Sequence, residues 1–304
     1  MGRPQRRTAS PARGTRRRAR LLALLALSLL GSLILAPSVL ANAFGPKSGG
    51  SPNADQIHSL YTIVLYIAIV VFVVVEGTLA YALWKFRAKK GAVAAQFHGN
   101  TRLEIGLTAG AAGILLVLAI VTFVKLPSII DPPNSDPTGL VLSASLSKPN
   151  PPDGKKLIVC VQGRQYIWRY TYGNDCRYNS FFTRLPYSYQ EMVVPAHTTV
   201  VLDIQSTDVI HSWWIPSLGG KVDAVPGFTT YTWFKAPHAG SLYHGQCAQL
   251  CGTNHAAMTA LVKVVTPAQY TQWLHQQAAN ISAANAQVSQ LRQILNANGN
   301  LPST

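Results

Sequence analysis

Two long apolar runs constrain this chain more than any other feature of its sequence. They cover residues 60–84 and 104–126, and each is long enough to cross a bilayer core of about 30 Å as a helix. The loop between them has no acidic residue, and its basic residues are Lys85, Arg87, Lys89, Lys90 and Arg102. Short loops rich in Lys and Arg lie in the cytoplasm. The sequence therefore predicts a transmembrane helical hairpin over residues 60–126, with both ends facing outward.

The first 43 residues are typical of an export signal. An Arg-rich start is followed by an apolar run, Leu21–Ala36, and by Ala41-Asn42-Ala43, which is a small-x-small cleavage site. The alternative is an uncleaved membrane anchor, but the run ends at Pro37 and is short for a span. We predict a signal peptide over residues 1–43 and a flexible N-terminal segment over residues 44–59.

The net charge belongs largely to this N-terminus. The formal charge is +15, from 26 Lys and Arg against 11 Asp and Glu, and eight of the basic residues precede Leu21. A nucleic-acid-binding domain needs a basic face with interleaved aromatic side chains in its folded part, and the sequence has no such face. Nucleic acid is therefore excluded as a partner.

After a proline-rich linker over residues 127–152, the pattern changes to short β-strands. The predicted strands are Leu157–Val161, Gln165–Tyr172, Thr199–Ser206, Val209–Ile215, Thr229–Phe234 and Thr259–Val265. In the third of these, Val200, Leu202 and Ile204 alternate with more polar neighbours, as expected for a strand. Many short strands with Gly and Pro turns predict a sandwich or barrel over residues 153–266.

The last segment, residues 267–304, is rich in Gln, Ala and Asn. Its apolar residues recur at helical spacing; they are Trp273, Ile281, Val288, Leu291 and Leu295. We predict a C-terminal extension of one or two amphipathic helices that lie against the β-domain or a neighbouring protein.

The densest group of potential metal ligands lies in the stretch from Tyr243 to Met258. Cys247 and Cys251 are four residues apart, His255 follows four residues later, and Met258 three beyond that. Thiolate, imidazole and thioether ligands together favour copper over oxygen-loving cations, and methionine is a weak axial ligand at copper electron-transfer sites. Two thiolates can also bridge two metal ions. A second copper ion needs its own nitrogen ligand, and a strand-like segment at residues 208–213 supplies one.

At these residues the chain resembles cytochrome c oxidase subunit II. The matching stretches are Asp208–Gly220 with Lys221, Asp223, Pro226 and Gly227, and then Gly245–Met258. The resemblance implies a cupredoxin-like Greek-key barrel that holds a dinuclear copper centre, CuA. The ligands that it implies are His211, Cys247, Cys251, His255, Met258 and the backbone carbonyl of Gln249.

Gln249 departs from the family pattern. The family commonly has glutamate at this position, and that side chain helps to bind a magnesium ion at the interface with subunit I. A backbone ligand survives the exchange, whereas the magnesium site loses a carboxylate.

The resemblance also implies a function and a location. The chain is expected to be subunit II of a proton-translocating oxidase in a bacterial plasma membrane, with its N-terminus and copper domain on the outer face. It would accept electrons from cytochrome c or a small copper protein and pass them to the haem and copper centres of subunit I, which reduces oxygen to water. The enzyme is an oxidoreductase whose oxygen chemistry resides in subunit I.

Three further roles are implied by the resemblance. Tyr166 and Trp168 lie in the family's aromatic stretch, which carries electrons from the donor to copper, although core packing also explains such residues. Glu104 matches a glutamate at the entrance of a proton path into subunit I, and helix capping also explains it. Asp208 lies where acidic residues of the family contribute to the docking of cytochrome c.

The remaining thiols are Cys160 and Cys176, and a disulfide between them is permitted outside the cytoplasm. If the chain runs extended from Cys160 to a turn at Gly173-Asn174-Asp175, the two residues are about 40 Å apart. A disulfide requires Cα atoms within about 7 Å. We therefore expect the two thiols to stay unpaired unless the chain bends at Gly163.

Four other protein classes share part of this pattern. A quinol oxidase subunit II has the same hairpin and barrel without copper, and a thioredoxin-like copper-delivery protein needs neither two spans nor Met258. Nitrous oxide reductase has a similar ligand loop but no paired membrane helices. A secreted sandwich stapled by disulfides leaves His211 and His255 unexplained.

Overall fold

The structure, a computed structural model, describes residues 45–87, 93, 96, 98–139, 156–173, 176 and 185–297. The predicted signal peptide and its cleavage site lie outside these residues and stay predictions. The part of the predicted linker between residues 140 and 152 also lies outside them. The chain from Pro46 onward forms one compact unit, which includes both helices and the β-domain.

Two long helices open the described chain. Helix α1 spans Pro52–Lys85 and helix α2 spans Thr101–Ile130, and both are apolar and long enough to cross a membrane. The predicted flexible segment is wrong from Pro52 onward, because proline fits the first turn of a helix and the start of α1 packs on the β-domain. The predicted linker boundary at residue 127 is also wrong, because α2 continues through Pro127 to Ile130.

The described part of the β-domain has ten strands in three hydrogen-bonded sets. The strands are β1 Leu157–Arg164, β2 Ile167–Tyr172, β3 Tyr187–Tyr189, β4 Glu191–Pro195, β5 Val200–Ser206, β6 His211–Trp213, β7 Val222–Ala224, β8 Thr230–Phe234, β9 Leu242–Gln246 and β10 Thr259–Val265. They form a five-stranded sheet in the order β3-β2-β1-β5-β8, a three-stranded sheet in the order β4-β10-β9, and the ribbon β6-β7. Strands β1 and β5 are parallel, as are β4 and β10. This is the predicted cupredoxin-like Greek-key barrel.

One hydrophobic core fills this barrel. The predicted apolar residues of β5 belong to it, as do alternate aromatic residues of β2; they are Val200, Leu202, Ile204, Trp168, Tyr170 and Tyr172. Tyr166 precedes β2 in a turn, where it is only partly buried and packs against the edge of the same core. Core packing, the alternative role of the two aromatic candidates, is therefore confirmed for Trp168.

Hydrogen bonds fix the end of the helical hairpin opposite its connecting loop to strand β8. The Asn53 amide donates to the Trp233 carbonyl at 2.7 Å, and the Lys235 N–H donates to the Ser51 hydroxyl at 3.0 Å. The Trp233 indole N–H in turn donates to the Ile129 carbonyl at the end of α2, at 3.0 Å. Both helices are thus tied to one strand, which holds the barrel at the end of the hairpin.

The C-terminal extension contains one described helix, α3, which spans Pro267–Ala297. Its start packs on the barrel, where the Trp273 ring meets the Tyr172 ring with centroids 4.9 Å apart. The Gln277 side chain donates to the Tyr187 carbonyl at 2.7 Å. The first turns of the helix thus belong to the domain, as predicted.

Cys160 and Cys176 form a disulfide, contrary to our expectation, with Cα atoms 5.3 Å apart. The chain does not run straight between them. Strands β1 and β2 form an antiparallel hairpin that turns just after Arg164, and this hairpin sets Cys160 opposite Thr171. Cys176 follows only five residues after Thr171, so the bend near Gly163 brings the two sulfurs together.

Removing this disulfide in a Cys160→Ala/Cys176→Ala variant is expected to lower the free energy of unfolding by about 3 kcal/mol, the usual value for a closed loop of roughly 15 residues. The physical reason is the larger conformational freedom of the unfolded chain. Denaturant unfolding of the full-length subunit in detergent measures it. Four reactive thiols in the denatured, copper-free wild type would show that the bond is absent.

Candidate metal centre

The cysteine loop is a closed connection between two neighbouring strands. Strands β9 and β10 are antiparallel, and residues 247–258 join them. The Cys247 N–H donates to the Met258 carbonyl at 2.8 Å, so the two ends of the loop meet. A single 3₁₀ turn, His255–Ala257, precedes the return into β10. Closure at the base brings together ligand candidates that are up to eleven positions apart in sequence.

Two sulfurs and two imidazole nitrogens approach one another at this loop. The Sγ atoms of Cys247 and Cys251 are 3.9 Å apart. His211 Nδ1 lies 3.9 Å from the Cys247 sulfur, and His255 Nδ1 lies 3.6 Å from the Cys251 sulfur. Both cysteines are buried and free of disulfides. Each sulfur therefore has its own imidazole, and the two sulfurs face each other between them.

His211 reaches the loop from strand β6 and has 0% of its surface exposed. Its Nε2 lies 2.8 Å from an oxygen of Asp208, three residues earlier. Because a carboxylate can only accept, Nε2 carries the proton and Nδ1 keeps a lone pair toward Cys247. A histidine that ligates a metal usually donates its other N–H to a carboxylate or carbonyl in this way.

Asp208 also accepts from the backbone. Partial burial acts to raise the pKa of its carboxyl group, but hydrogen bonds from the Gln165 N–H, the His211 ring and the Val209 N–H hold that pKa below its ordinary value. The Gln165 N–H lies 2.7 Å from one Asp208 oxygen. Asp208 is therefore a carboxylate at neutral pH, with its oxygens directed toward the site.

Gln165 is a site residue that the sequence did not reveal as one. Besides its N–H bond to Asp208, its side-chain amide donates to the Cys251 carbonyl at 2.7 Å. It thus joins the carboxylate that orients His211 to the cysteine loop. The two partners of Gln165 lie 43 and 86 positions away in the sequence, so no local sequence pattern could have predicted these contacts.

The metal-free Cys251 thiol resists ionisation. Burial, together with the adjacent Cys247 sulfur, raises the pKa of the Cys251 thiol to about 11. Metals bind the thiolate form, so metal binding at this site must displace protons from the cysteines.

Comparison with known proteins identifies two regions of this chain. Residues 157–265 match the model of the cytochrome C oxidase subunit II periplasmic domain, and residues 40–124 match the model of its transmembrane domain. A probable cytochrome c oxidase subunit 2 of Rickettsia bellii is 31% identical over 282 residues, covering 89% of this chain and 96% of that protein.

The chain belongs to the cytochrome c oxidase subunit II family.

The cytochrome c oxidase subunit 2 of Cereibacter sphaeroides is 33% identical over 264 residues, covering 76% of this chain and 79% of that protein. Among solved structures, the periplasmic domain of subunit II of cytochrome oxidase of Bradyrhizobium japonicum is 28% identical. The match covers 41% of this chain and 95% of the solved chain, and its TM-score is 0.36.

The other ligand candidates of this subunit II family member also lie at the loop. Met258 is fully buried, in the same core cluster as both cysteines. The backbone carbonyl of Gln249 lies 3.2 Å from the Cys247 sulfur, and its side chain is exposed. The magnesium ion stays a prediction.

The two aromatic candidates occupy different environments. The Trp168 side chain is fully buried and meets the His211 ring edge-on, with centroids 5.9 Å apart. The Tyr166 hydroxyl lies 3.2 Å from the Thr253 hydroxyl, at the partly exposed rim of the loop.

Glu104 lies elsewhere, in the first turn of α2. The Asn100 N–H donates to its carboxylate at 3.2 Å, and the Asn100 side chain accepts from the Leu103 N–H. This is the helix-capping contact that the sequence predicted as the alternative role of Glu104. The end of α2 that contacts the barrel lies 25 residues further on, about 37 Å along the helix.

Replacing Asp208 by alanine is expected to weaken copper binding by about 10- to 100-fold, the usual effect of losing the partner that orients a histidine ligand. Asp208→Asn should be milder, since its amide oxygen can still accept from His211. Copper titration of the metal-free, full-length subunit at fixed pH measures both. Asp223→Ala, which removes an exposed carboxylate from β7, is the matched control. Equal losses in Asp208→Ala and Asp223→Ala would assign the effect to net charge instead.

Proposed function

We propose that this chain is the electron-accepting subunit of a cytochrome c oxidase in a bacterial plasma membrane. In this proposal it takes single electrons from cytochrome c or a small copper protein outside the membrane. It passes them to the haem and copper centres of subunit I, where oxygen is reduced to water and protons are translocated. The observation that carries the proposal is the pair of buried sulfurs, 3.9 Å apart, with one imidazole nitrogen near each.

The donor set fits two copper ions better than one. The two sulfurs are 3.9 Å apart, which is less than twice a metal–sulfur bond of about 2.3 Å. Both cysteines would therefore be within reach of each ion of a pair. The two imidazoles approach different sulfurs, which suits one nitrogen ligand for each of two ions. In the proposed set, His211, His255, Cys247 and Cys251 hold the pair, and Met258 and the Gln249 carbonyl complete it.

When bound, such a copper pair would supply a one-electron acceptor whose charge is shared over both metals. The chain's own residues keep that site rigid. Asp208 orients His211, Gln165 ties the same carboxylate to the loop, and the Cys247–Met258 backbone bond closes the loop base. Burial of His211, both cysteines and Met258 excludes water and tunes the potential.

For electron acceptance we propose separate roles for the two aromatic residues. Tyr166 is partly exposed and lies at the rim of the cysteine loop, so a docked donor can reach it. Trp168 is buried against His211, which suits a packing role beside the ligand. Both oxygens of Asp208 already accept hydrogen bonds within the site, so its docking role is secondary to its hold on His211.

The proposed orientation places the barrel outside and the loop between the helices in the cytoplasm. The basic residues of that loop support it. The barrel is attached at the opposite end of the hairpin, through Ser51, Asn53 and Ile129. Both features agree with a copper domain that faces an external electron donor.

The decisive experiment is metal analysis of the full-length subunit together with its electron paramagnetic resonance spectrum. We expect two coppers per chain that share one unpaired electron. A single isolated copper would refute the dinuclear site. Absence of copper would favour the quinol oxidase class, which has the same hairpin and barrel.

Glu104→Gln tests the proposed proton entrance. The glutamine oxygen can still accept from the Asn100 N–H, so helix α2 should keep its cap. It cannot carry a proton, and steady-state oxidase turnover should fall by at least about tenfold. Copper content and the first electron transfer from the donor serve as controls and should not change. Unaltered turnover would leave Glu104 with capping alone.

A further inference from the structure

A small apolar surface lies beside the candidate copper ligands. Two aliphatic side chains that directly precede His211 are 39% and 45% exposed. The Gln165 N–H donates to Asp208, just before them, which places the β1–β2 turn beside this segment. That turn carries one partly exposed aromatic ring. We call these three side chains the rim surface; they are Val209, Ile210 and Tyr166.

The rim surface lies at the end of strand β5 opposite the attachment of the helical hairpin. The hairpin is tied to Trp233 on β8, and the next residue, Phe234, pairs with Val200 at the start of β5. Strand β5 then runs for about 20 Å to Ser206, and Asp208 follows two residues later. The length of a strand therefore separates the rim surface from the hairpin attachment, which leaves room for a donor protein.

Two arginines lie on one side of Tyr166. Arg164 is exposed, ends strand β1 and pairs with Ile167 across the turn that contains Tyr166. Since Arg164 and Tyr166 are two positions apart, their Cα atoms are at most about 7 Å from each other. Arg164 and Arg169 line one cavity of about 230 Å³, and the other described residues that line it are Gln162, Ile167 and Tyr189. None of these residues is acidic, so the cavity has a positively charged lining.

Few acidic side chains offset these charges. Residues 156–265 contain eight Lys and Arg against five Asp and Glu. Asp208 borders the rim surface, but its oxygens already accept hydrogen bonds from two backbone N–H groups and from the His211 ring. Asp223, on the neighbouring β6–β7 ribbon, is exposed. Among the described residues no carboxylate forms an ion pair with Arg164, so its positive charge is available to a partner.

We propose that the rim surface receives an electron donor with an acidic docking face. Carboxylates of the donor would meet Arg164 and the cavity that it shares with Arg169, and an apolar centre would meet the rim surface. An apolar centre with a polar edge is the usual anatomy of a protein interface, and a guanidinium can bind a carboxylate through two parallel hydrogen bonds. The inference rests on the proposed function, and it specifies the charge of the donor's docking face.

Two forms of one protein test the sign of that charge. The probes are a lysine-rich cytochrome c and the same cytochrome c with its lysines succinylated, which replaces each cation by a carboxylate. Binding to the metal-free, full-length subunit in detergent is measured at an ionic strength of about 0.01 M, where screening is weak. The succinylated form should bind at least about tenfold more tightly, and an ionic strength of about 0.15 M should remove most of this difference. Equal binding, or tighter binding of the lysine-rich form, would overturn the proposal.

Charge variants locate the site, because the basic N-terminus and the loop between the helices also attract an acidic probe. Arg164→Glu should weaken binding of the succinylated form by about three- to tenfold, and Arg164→Lys, which keeps the charge, by less than about twofold. Arg292→Glu is the matched control. It makes the same change of net charge about 22 Å along α3 from Gln277, the last residue of that helix with a hydrogen bond to the described barrel. Equal losses in Arg164→Glu and Arg292→Glu would assign the effect to net charge and overturn the proposal.

Electron uptake by the copper-loaded oxidase separates this inference from the proposed function. At low ionic strength, uptake from the reduced succinylated probe should be at least about fivefold faster than from the lysine-rich form. Arg164→Glu should remove this preference without changing copper content. Absence of the two-copper signal would refute the proposed function, and the binding test on the metal-free chain would still decide the charge of the docking face. Faster uptake from the lysine-rich form by an intact copper centre would refute the acidic docking face alone.

Discussion

Cys251→Ser is expected to eliminate the two-copper signal and to slow electron uptake by more than about 100-fold, beyond the 10- to 100-fold loss that follows removal of an outer partner. The Cys251 sulfur lies 3.9 Å from the Cys247 sulfur and 3.6 Å from His255 Nδ1, so it is the shared neighbour of the other donors. A serine hydroxyl is a harder donor that soft copper does not prefer. Copper per chain, the paramagnetic resonance spectrum and stopped-flow reduction by the donor measure the effect.

Met258→Leu is the matched control for this experiment. Leucine preserves the buried apolar volume but removes the thioether, which is a weak axial ligand at copper sites. This variant should keep both coppers and shift the reduction potential. A two-copper signal that persists in Cys251→Ser would contradict the bridging role of the sulfur, whatever happens in Met258→Leu.

The candidate ligands could be identified from the sequence because most of them are local. One loop contains Cys247, Cys251, His255 and Met258. The two strands that flank this loop pair with each other, and this pairing alone brings the ends of the loop together. The membrane hairpin was equally accessible, since length and apolar composition decide whether a helix can cross a bilayer. His211 lies 36 positions from Cys247, so the sequence could offer it only as the nitrogen donor on a separate strand-like segment, and the resemblance then implied that it is a ligand.

Other features depended on turns and contacts that composition does not encode. The β1–β2 hairpin turns after Arg164, and this single reversal explains the disulfide. The start of α1 could not be predicted from its Gly-, Pro- and Ser-rich stretch, because it is stabilised by bonds to Trp233 and Lys235, which lie 180 and 184 positions away. Local secondary-structure propensity cannot predict contacts between residues so far apart in the sequence.

Gly245→Ala is expected to cost about 3 kcal/mol of the free energy of unfolding, at the upper end of the usual range for overpacking. A Cβ atom at this position would lie 2.0 Å from the Trp214 carbonyl oxygen and 2.9 Å from the Ile215 Cα, so backbone must move. Strand β9 and the segment after His211 are also joined by bonds from the Gln246 N–H to Trp214 and from the Ala248 N–H to Ser212. Denaturant unfolding of the full-length subunit in detergent gives the cost.

The same substitution should weaken copper binding, because the contact at Gly245 sets the distance between Cys247 and His211. Separation of the two segments would lengthen the 3.9 Å approach of His211 Nδ1 to the Cys247 sulfur, and we expect a loss of affinity of at least about tenfold. Gly220→Ala is the matched control, since its Cβ would lie 3.8 Å from the nearest atom, a methyl carbon of Ile57, which is an ordinary contact. That variant should stay within about 0.5 kcal/mol of the wild type. Equal stability and equal copper affinity in the two variants would mean that the close backbone approach at Gly245 does not position the ligands.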